Sequence, residues 1–256
     1  MATPTPCNTV DLHSTRFIEY LAAQTAALFR AAYPPRFGAA PLRPLTPAEE
    51  YVEQCMLSAG ELVAACDQLY YALAYLSGYR QRRMPYGALV TRADYVAYQV
   101  ENFMIRLGGV TDRALKLVNI VFQLGIQARD CRRSVVAENA HVALTPIRKR
   151  LDALEVAVRP HRATRNRVVH QERYSDEQLR KWGIFSALEK ESSKSDPLIG
   201  RYRVFYKTMA DNDVKSRRKS LLALADRVSD RIARLLGSLL PIVERTKKQL
   251  SGASQG

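Results

Sequence analysis

The chain has 256 residues, 47% of them hydrophobic and 25% charged, a globular balance large enough for a buried core without disulfide staples. Residues 1–140 carry 14 Lys and Arg against 12 Asp and Glu, whereas residues 141–256 carry 25 against 13. A basic half beside a neutral half points to a polyanionic partner on one side of the molecule. Arg outnumbers Lys 29 to 10, and the guanidinium fork matches phosphate oxygens.

Residues 1–15 read as loose, and Met1–Pro6 lacks the basic region of a signal peptide. A helix is expected over about 14–31, with Phe17, Leu21 and Leu28 on one face and Thr25 interrupting it. Pro34, Pro35, Pro41 and Pro44 then exclude helix interior, so residues 1–45 form an N-terminal helix and a Pro-rich linker. Thr46-Pro47-Ala48-Glu49 is a capping box with Pro at the first helical position. From it a helix of about 33 residues, roughly 50 Å at 1.5 Å per residue, reaches about Tyr79. Its stripe is Val52, Cys55, Leu62, Cys66, Leu69, Leu73 and Leu76. Tyr71, Tyr75 and Tyr79 are expected to pack between helices rather than to stack bases. Residues 80–90, with Arg80, Arg82 and Arg83, form a basic turn.

Thr91 starts a second long helix with Asp94 completing a partial box. It extends to about Leu124, and Gly108-Gly109 could kink it. Shorter helices follow over about 130–139, from Thr145-Pro146 to near Pro160, and from the box Ser175-Asp176-Glu177-Gln178 to about Glu191. A final helix is expected over about 214–249, with Leu221, Leu224, Val228, Ile232, Leu235, Leu236 and Leu239 inward and Pro241 a bend. Arg217, Arg218 and Lys219 would then line its exposed first turns or contact phosphate, and Trp182 anchors the core or an interface. No segment alternates as a strand, and there is no repeat or Gly-rich phosphate loop. The fold class is therefore all-α, a bundle of long antiparallel helices spanning 46–250.

The cysteines, Cys7, Cys55, Cys66 and Cys131, form no C-x-x-C pair, and with only four histidines no zinc-like cluster arises. No metal and no cofactor are expected. No apolar run approaches a membrane span, so a cytoplasmic protein with reduced thiols is expected.

The densest chemistry lies in Arg162-Ala163-Thr164-Arg165-Asn166-Arg167-Val168-Val169-His170, which holds no acid. If helical, Asn166 and His170 share a face at i,i+4, and Arg165 reaches toward it. Pro160 should end the preceding helix and Thr164 could cap the next, setting backbone N–H groups beside Arg165 and Asn166 where phosphate binds. His170 suits proton transfer near neutral pH. Arg165 would hold a scissile phosphate, Asn166 would orient it or His170, and Arg162, Arg167 and Arg173 would bind RNA. The competing accounts are a structural histidine bonded to a carbonyl and a solvated basic loop, with Val168 and Val169 buried in either case.

Arg165-Asn166-x-x-x-His170 resembles the R-x(4–6)-H motif of HEPN domains, with a polar residue after the Arg. The stretch from Tyr51 to Gln127 is similar to the paired long helices of a larger stand-alone HEPN branch. Tyr95 to Phe103, Arg106, Thr111-Asp112-Arg113 and Leu117-Val118-Asn119 carry that likeness. The resemblance covers about residues 46–245. It implies a metal-independent endoribonuclease, a toxin or defence component, that acts as a homodimer with two motifs facing one cleft; an antitoxin partner stays open. The alternatives are a non-catalytic RNA- or nucleotide-binding bundle and a helical protein-interaction scaffold.

Overall fold

A computed structural model describes residues 10–33, 41–80, 84–85, 89–170, 173–191 and 197–253. Cys7, Pro34, Pro35, Arg82 and Arg83 lie outside these. Nine α-helices occupy the described residues: α1 Arg16–Ala32, α2 Pro47–Leu76, α3 Arg92–Val121, α4 Arg133–Val136, α5 Ala140–Ala143, α6 Pro146–Val158, α7 Arg162–His170, α8 Glu177–Glu191 and α9 Pro197–Ala253. No strand occurs among them. The fold is an all-α helical bundle.

The helix starts follow the local chemistry. Thr46 Oγ1 accepts from Glu49 N at 3.3 Å, Thr46 N donates to Glu49 Oε2 at 2.8 Å, and Pro47 opens α2. Thr91 and Asp94 close the same reciprocal pair before α3, and Thr145 caps α6 through Ile147 N. Arg43 clamps Glu49 with two bonds of 2.6 and 2.8 Å. Those bonds, with the one from Thr46 N, pull the Glu49 carboxyl down to about 2. A depressed carboxyl contributes stability that is present above its unfolded value and lost as pH falls through the folded one. Thermal melts between pH 7 and 2 should show wild type losing stability below about pH 4.5 more steeply than Glu49→Gln; parallel curves would refute the clamp.

The chain ends α3 at Val121, three residues earlier than its periodicity suggests. Gln123 and Gly125 take positive φ, 51° and 68°, and the Asn119 amide brackets Ile126, donating to its carbonyl at 2.8 Å and accepting from its N–H at 3.1 Å. The expected single helix over 130–139 is instead a 3-10 turn at Ala128–Asp130 followed by the short α4 and α5. The last helix begins at Pro197 and runs for 57 residues through Pro241. Its first turns were hidden because Leu198, Tyr202, Val204 and Phe205 stay exposed and draw no inward stripe.

The structure divides into two compact units. The first comprises residues 1–66, 109–159 and 226–256, the second 67–108 and 160–225; α2, α3 and α9 each lend a segment to both. In the first unit Phe17, Leu21, Val52, Cys55, Leu62, Ile147, Leu154, Ile232, Leu235, Leu236 and Leu239 are buried. Tyr51 Oη donates to the Val121 carbonyl at 2.9 Å. Burial pushes the Cys55 thiol up to about 12, so it stays protonated and inert. Cys55, Cys66 and Cys131 form no disulfide among the described residues. Gly109 makes room for Arg113: a Cβ there would stand 2.8 Å from Arg113 Nη1, which donates to the Gly109 carbonyl at 3.3 Å.

In the second unit Leu69, Leu73, Leu76, Val96, Phe103, Leu107, Leu179, Trp182, Val214 and Leu221 are buried. Arg106 Nη1 donates to Gln68 at 2.9 Å and Tyr95 Oη to the Tyr75 carbonyl at 2.6 Å. These pairs set α2 and α3 antiparallel. Trp182 meets Tyr206 edge-on at 6.5 Å. Tyr79 is half-buried, bonded to the Val90 carbonyl and tilted against Tyr95. Tyr71 and Tyr75, expected to pack between helices, are 60% and 62% exposed, whereas Leu69, Leu73 and Leu76 of the same helix are buried.

Candidate functional site

The basic segment forms α7 within the second unit. The chain passes from α6 through a 3-10 turn at Arg159–His161 and enters α7 at Arg162, so Thr164 lies inside the helix and does not cap it. Pro160 is absorbed by the tighter turn rather than breaking the path. The expected cap at Thr164 is therefore not formed, and the first turn of the helix lies at Arg162 instead.

α7 buries none of its residues fully. Val168 is half-buried and Val169 is 40% exposed, so the expected apolar anchors are weak. Side-chain contacts to α3 hold the segment instead. Asp94, Glu101 and Gly108 recur at seven-residue intervals and share one face of α3. Arg173 Nη2 pairs with Asp94 Oδ1 at 2.5 Å, and Tyr174 N donates to Glu101 Oε1 at 2.5 Å. At Gly108 the guanidinium of Arg165 lies against the helix backbone: a Cβ at that position would stand 3.1 Å from Arg165 Nε. Helix α3 runs unbroken through the Gly108-Gly109 pair, and Gly108 supplies the space in which Arg165 rests.

Arg165 is half-buried, its Nη1 donates to Asn166 Oδ1 at 3.1 Å, and its Nε is enclosed without a hydrogen-bond partner. Asn166 and His170 are both exposed and stand at i,i+4 on α7. Among the described residues no hydrogen bond reaches the His170 ring. A packing histidine would be buried or tied to a carbonyl; His170 is neither. Arg162 and Arg167 are exposed on the same helix, so the segment is a basic helix rather than a basic loop. Arg173 is exposed but engaged by Asp94.

Behind Arg173 a second network fixes the chain. Asp176, not Ser175, caps α8, accepting from Leu179 N at 3.0 Å. Arg217 grips both Asp176 oxygens at 2.5 and 3.0 Å, reaches Asp213 at 2.6 Å, and lies 3.3 Å from the Tyr174 hydroxyl. This overturns the exposed placement expected for Arg217, which is only 14% exposed. Because α9 starts at Pro197, the residue is mid-helix and faces α8 across the unit. Arg218 and Lys219 are exposed. Sequence reasoning missed Gly108, Glu101 and Arg217; only the seven-residue recurrence of Asp94, Glu101 and Gly108 could have signalled the first two.

The sequence matches the family model for HEPN_Cthe2314-like HEPN domains over residues 62–196, more than half of the chain, and the match includes Arg165-Asn166-x-x-x-His170. The chain belongs to the HEPN family. No curated protein and no solved structure matches it. Membership in HEPN gives the chain a general nuclease- or RNA-related character. The HEPN match takes in α7 and the α3 face that holds it. No helix among the described residues is long and apolar enough to cross a membrane.

Proposed function

We propose that this protein is a metal-independent endoribonuclease of the HEPN type, with Arg165, Asn166 and His170 as its catalytic residues. The observation that carries this reading is Arg165 held between Gly108 and Asn166 while His170 stays open one turn beyond Asn166. A guanidinium already ordered by its surroundings loses little freedom on engaging phosphate. A neutral His170 imidazole takes the proton of the RNA 2′-OH. The 2′-oxygen bonds to phosphorus, the P–O5′ bond breaks, and the leaving oxygen takes a proton from water or an imidazolium. Arg165 offsets the charge that grows on the phosphoryl oxygens. Arg162 and Arg167 bind flanking phosphates, and Arg173 joins them at the edge of its pair with Asp94. The protein acts as a cytoplasmic homodimer in which two motifs share one cleft, in the role of a toxin or defence component whose antitoxin, if it has one, is a separate chain.

Incubation of RNA with the protein in EDTA should yield 2′,3′-cyclic phosphate and 5′-OH ends, and a 2′-deoxy substitution at the cleaved position should block the reaction. Absence of cleavage on several RNA classes, with salt-dependent binding retained, would leave a non-catalytic RNA-binding bundle as the better account. Gly108→Leu should separate positioning from folding. The change relieves the helix of glycine's cost, about 0.5–1 kcal/mol, but drives its side chain into Arg165. Cleavage is expected to fall about 10–100-fold, as for a misplacement of about 1 Å, while the helical circular dichroism stays. Unchanged cleavage would show that Arg165 does not work from this position.

A further inference from the structure

The second unit holds a cleft of about 230 Å³, lined in part by Arg173 and Tyr174, three and four residues past His170. Ala93 and Ala97, one turn apart on α3, form one wall, and Leu179 and Gly183, one turn apart on α8, form another. Asp94, Arg173, Ser175 and Arg180 rim it. The volume is below the roughly 300–1,000 Å³ of drug-sized pockets, which suits one flat ring system and not a helix or a lipid chain. Its walls are small and apolar, as the faces of a base require. The rim carries two exposed arginines and a hydroxyl, which suit the base edge and its phosphate. Partial burial opposes ionisation of Asp94, but hydrogen bonds from Thr91 and Arg173 outweigh it and keep the carboxyl below its ordinary range. The Asp94 carboxylate thereby fixes Arg173 at the lip. Three of the lining residues, Asp94, Arg173 and Tyr174, also take part in the bonds that anchor the chain beyond His170.

We infer that this cleft is a nucleobase subsite that takes a nucleotide flanking the scissile phosphate and makes cleavage base-selective. Its place along an RNA strand rests on the ribonuclease reading; its capacity to hold a nucleotide does not. Helix α8 offers the clean test, because a Cβ at Gly183 would meet nothing within 4 Å. Gly183→Leu therefore fills the cleft without disturbing the packing, and Arg180→Ala thins the rim without filling it.

Binding of adenosine, guanosine, cytidine and uridine 3′-monophosphates to the full-length protein is measured by calorimetry or ligand-observed NMR. At least one should bind in the millimolar range or tighter, with affinity at least ten-fold weaker in Gly183→Leu and several-fold weaker in Arg180→Ala. The base preference of cleavage, read by sequencing the ends from a random RNA pool, should flatten in Gly183→Leu. Failure of all four nucleotides to bind would overturn the inference, as would binding indifferent to both substitutions. Inorganic phosphate or an acidic tetrapeptide binding as tightly as the nucleotides would do the same, since the cleft would then read charge alone. The two readings separate cleanly. Cleavage with the same base preference in wild type and Gly183→Leu removes the subsite and keeps the ribonuclease. Gly183-dependent nucleotide binding without any cleavage keeps the subsite and removes the ribonuclease.

Discussion

His170→Ala is expected to reduce RNA cleavage in EDTA by about 10²–10⁴-fold, the contribution typical of a positioned acid or base. Stability should not move with it. His170 is exposed and no hydrogen bond among the described residues reaches its ring, so its removal leaves no cavity and no orphaned partner. Retained RNA binding with lost turnover would assign the proton-transfer role. If the variant instead cleaves like wild type, the histidine has no part in chemistry and the arginines of α7 act only as phosphate contacts. A third result, lost binding together with lost turnover, would make His170 a contact and not an acid or base. Arg165→Ala makes the complementary measurement: binding and turnover should fall together, because the guanidinium is proposed to meet the phosphate both before and during the reaction.

Arg217→Ala should cost the fold about 2 kcal/mol, below the roughly 3–5 of a fully buried pair because Asp176 keeps partial contact with water. For a chain of this size that is a drop of about 4–8 °C in Tm. The substitution strands Asp176 and Asp213, both of which Arg217 bonds. Burial opposes ionisation of Asp176, yet the hydrogen bonds from Arg217 and Leu179 N win and hold its carboxyl below the usual range. By the sign of that shift, the pair stabilises the protein above the ordinary Asp value and loses its effect as pH falls below it. The penalty of Arg217→Ala should therefore be full at pH 7 and shrink toward pH 3 in paired thermal melts. A penalty independent of pH would point to lost packing of the Arg stem rather than lost charge. Removing all three charges together, as Asp176→Asn, Asp213→Asn and Arg217→Met, should recover much of the loss. Because Tyr174 and Asp176 adjoin the motif segment, Arg217→Ala should also lower cleavage, by less than any change in α7 itself.

Much of the scaffold is legible in the sequence. The Val52 to Leu76 stripe marked α2, and Thr46 with Glu49 and Thr91 with Asp94 marked where two helices begin, because a cap is satisfied by residues three apart. The inward leucines from Leu221 to Leu239 marked the later part of α9. Where the pattern was read too far, backbone chemistry intervened, as when Asn119 turned the chain back at Ile126. Where it was read too short, the first turns of α9 carried apolar side chains to the surface and gave periodicity nothing to detect.

Local spacing determined the helix inventory, the all-α class and the Arg165, Asn166, His170 arrangement along one helix, since each depends on residues within a turn or two of one another. The tertiary structure alone decided that Arg165 rests on Gly108 and that Arg173 is spent partly on Asp94. It also decided that Arg217 is half-buried against Asp176 while Tyr71 and Tyr75 face solvent. The pairings of Gly108 with Arg165, Asp94 with Arg173 and Asp176 with Arg217 join residues roughly 40 to 80 positions apart, whereas Asp213 stands one turn from Arg217. No propensity or cap encodes them: a glycine in a helix costs the same wherever it sits, and what it admits depends on the neighbour that packing brings to it.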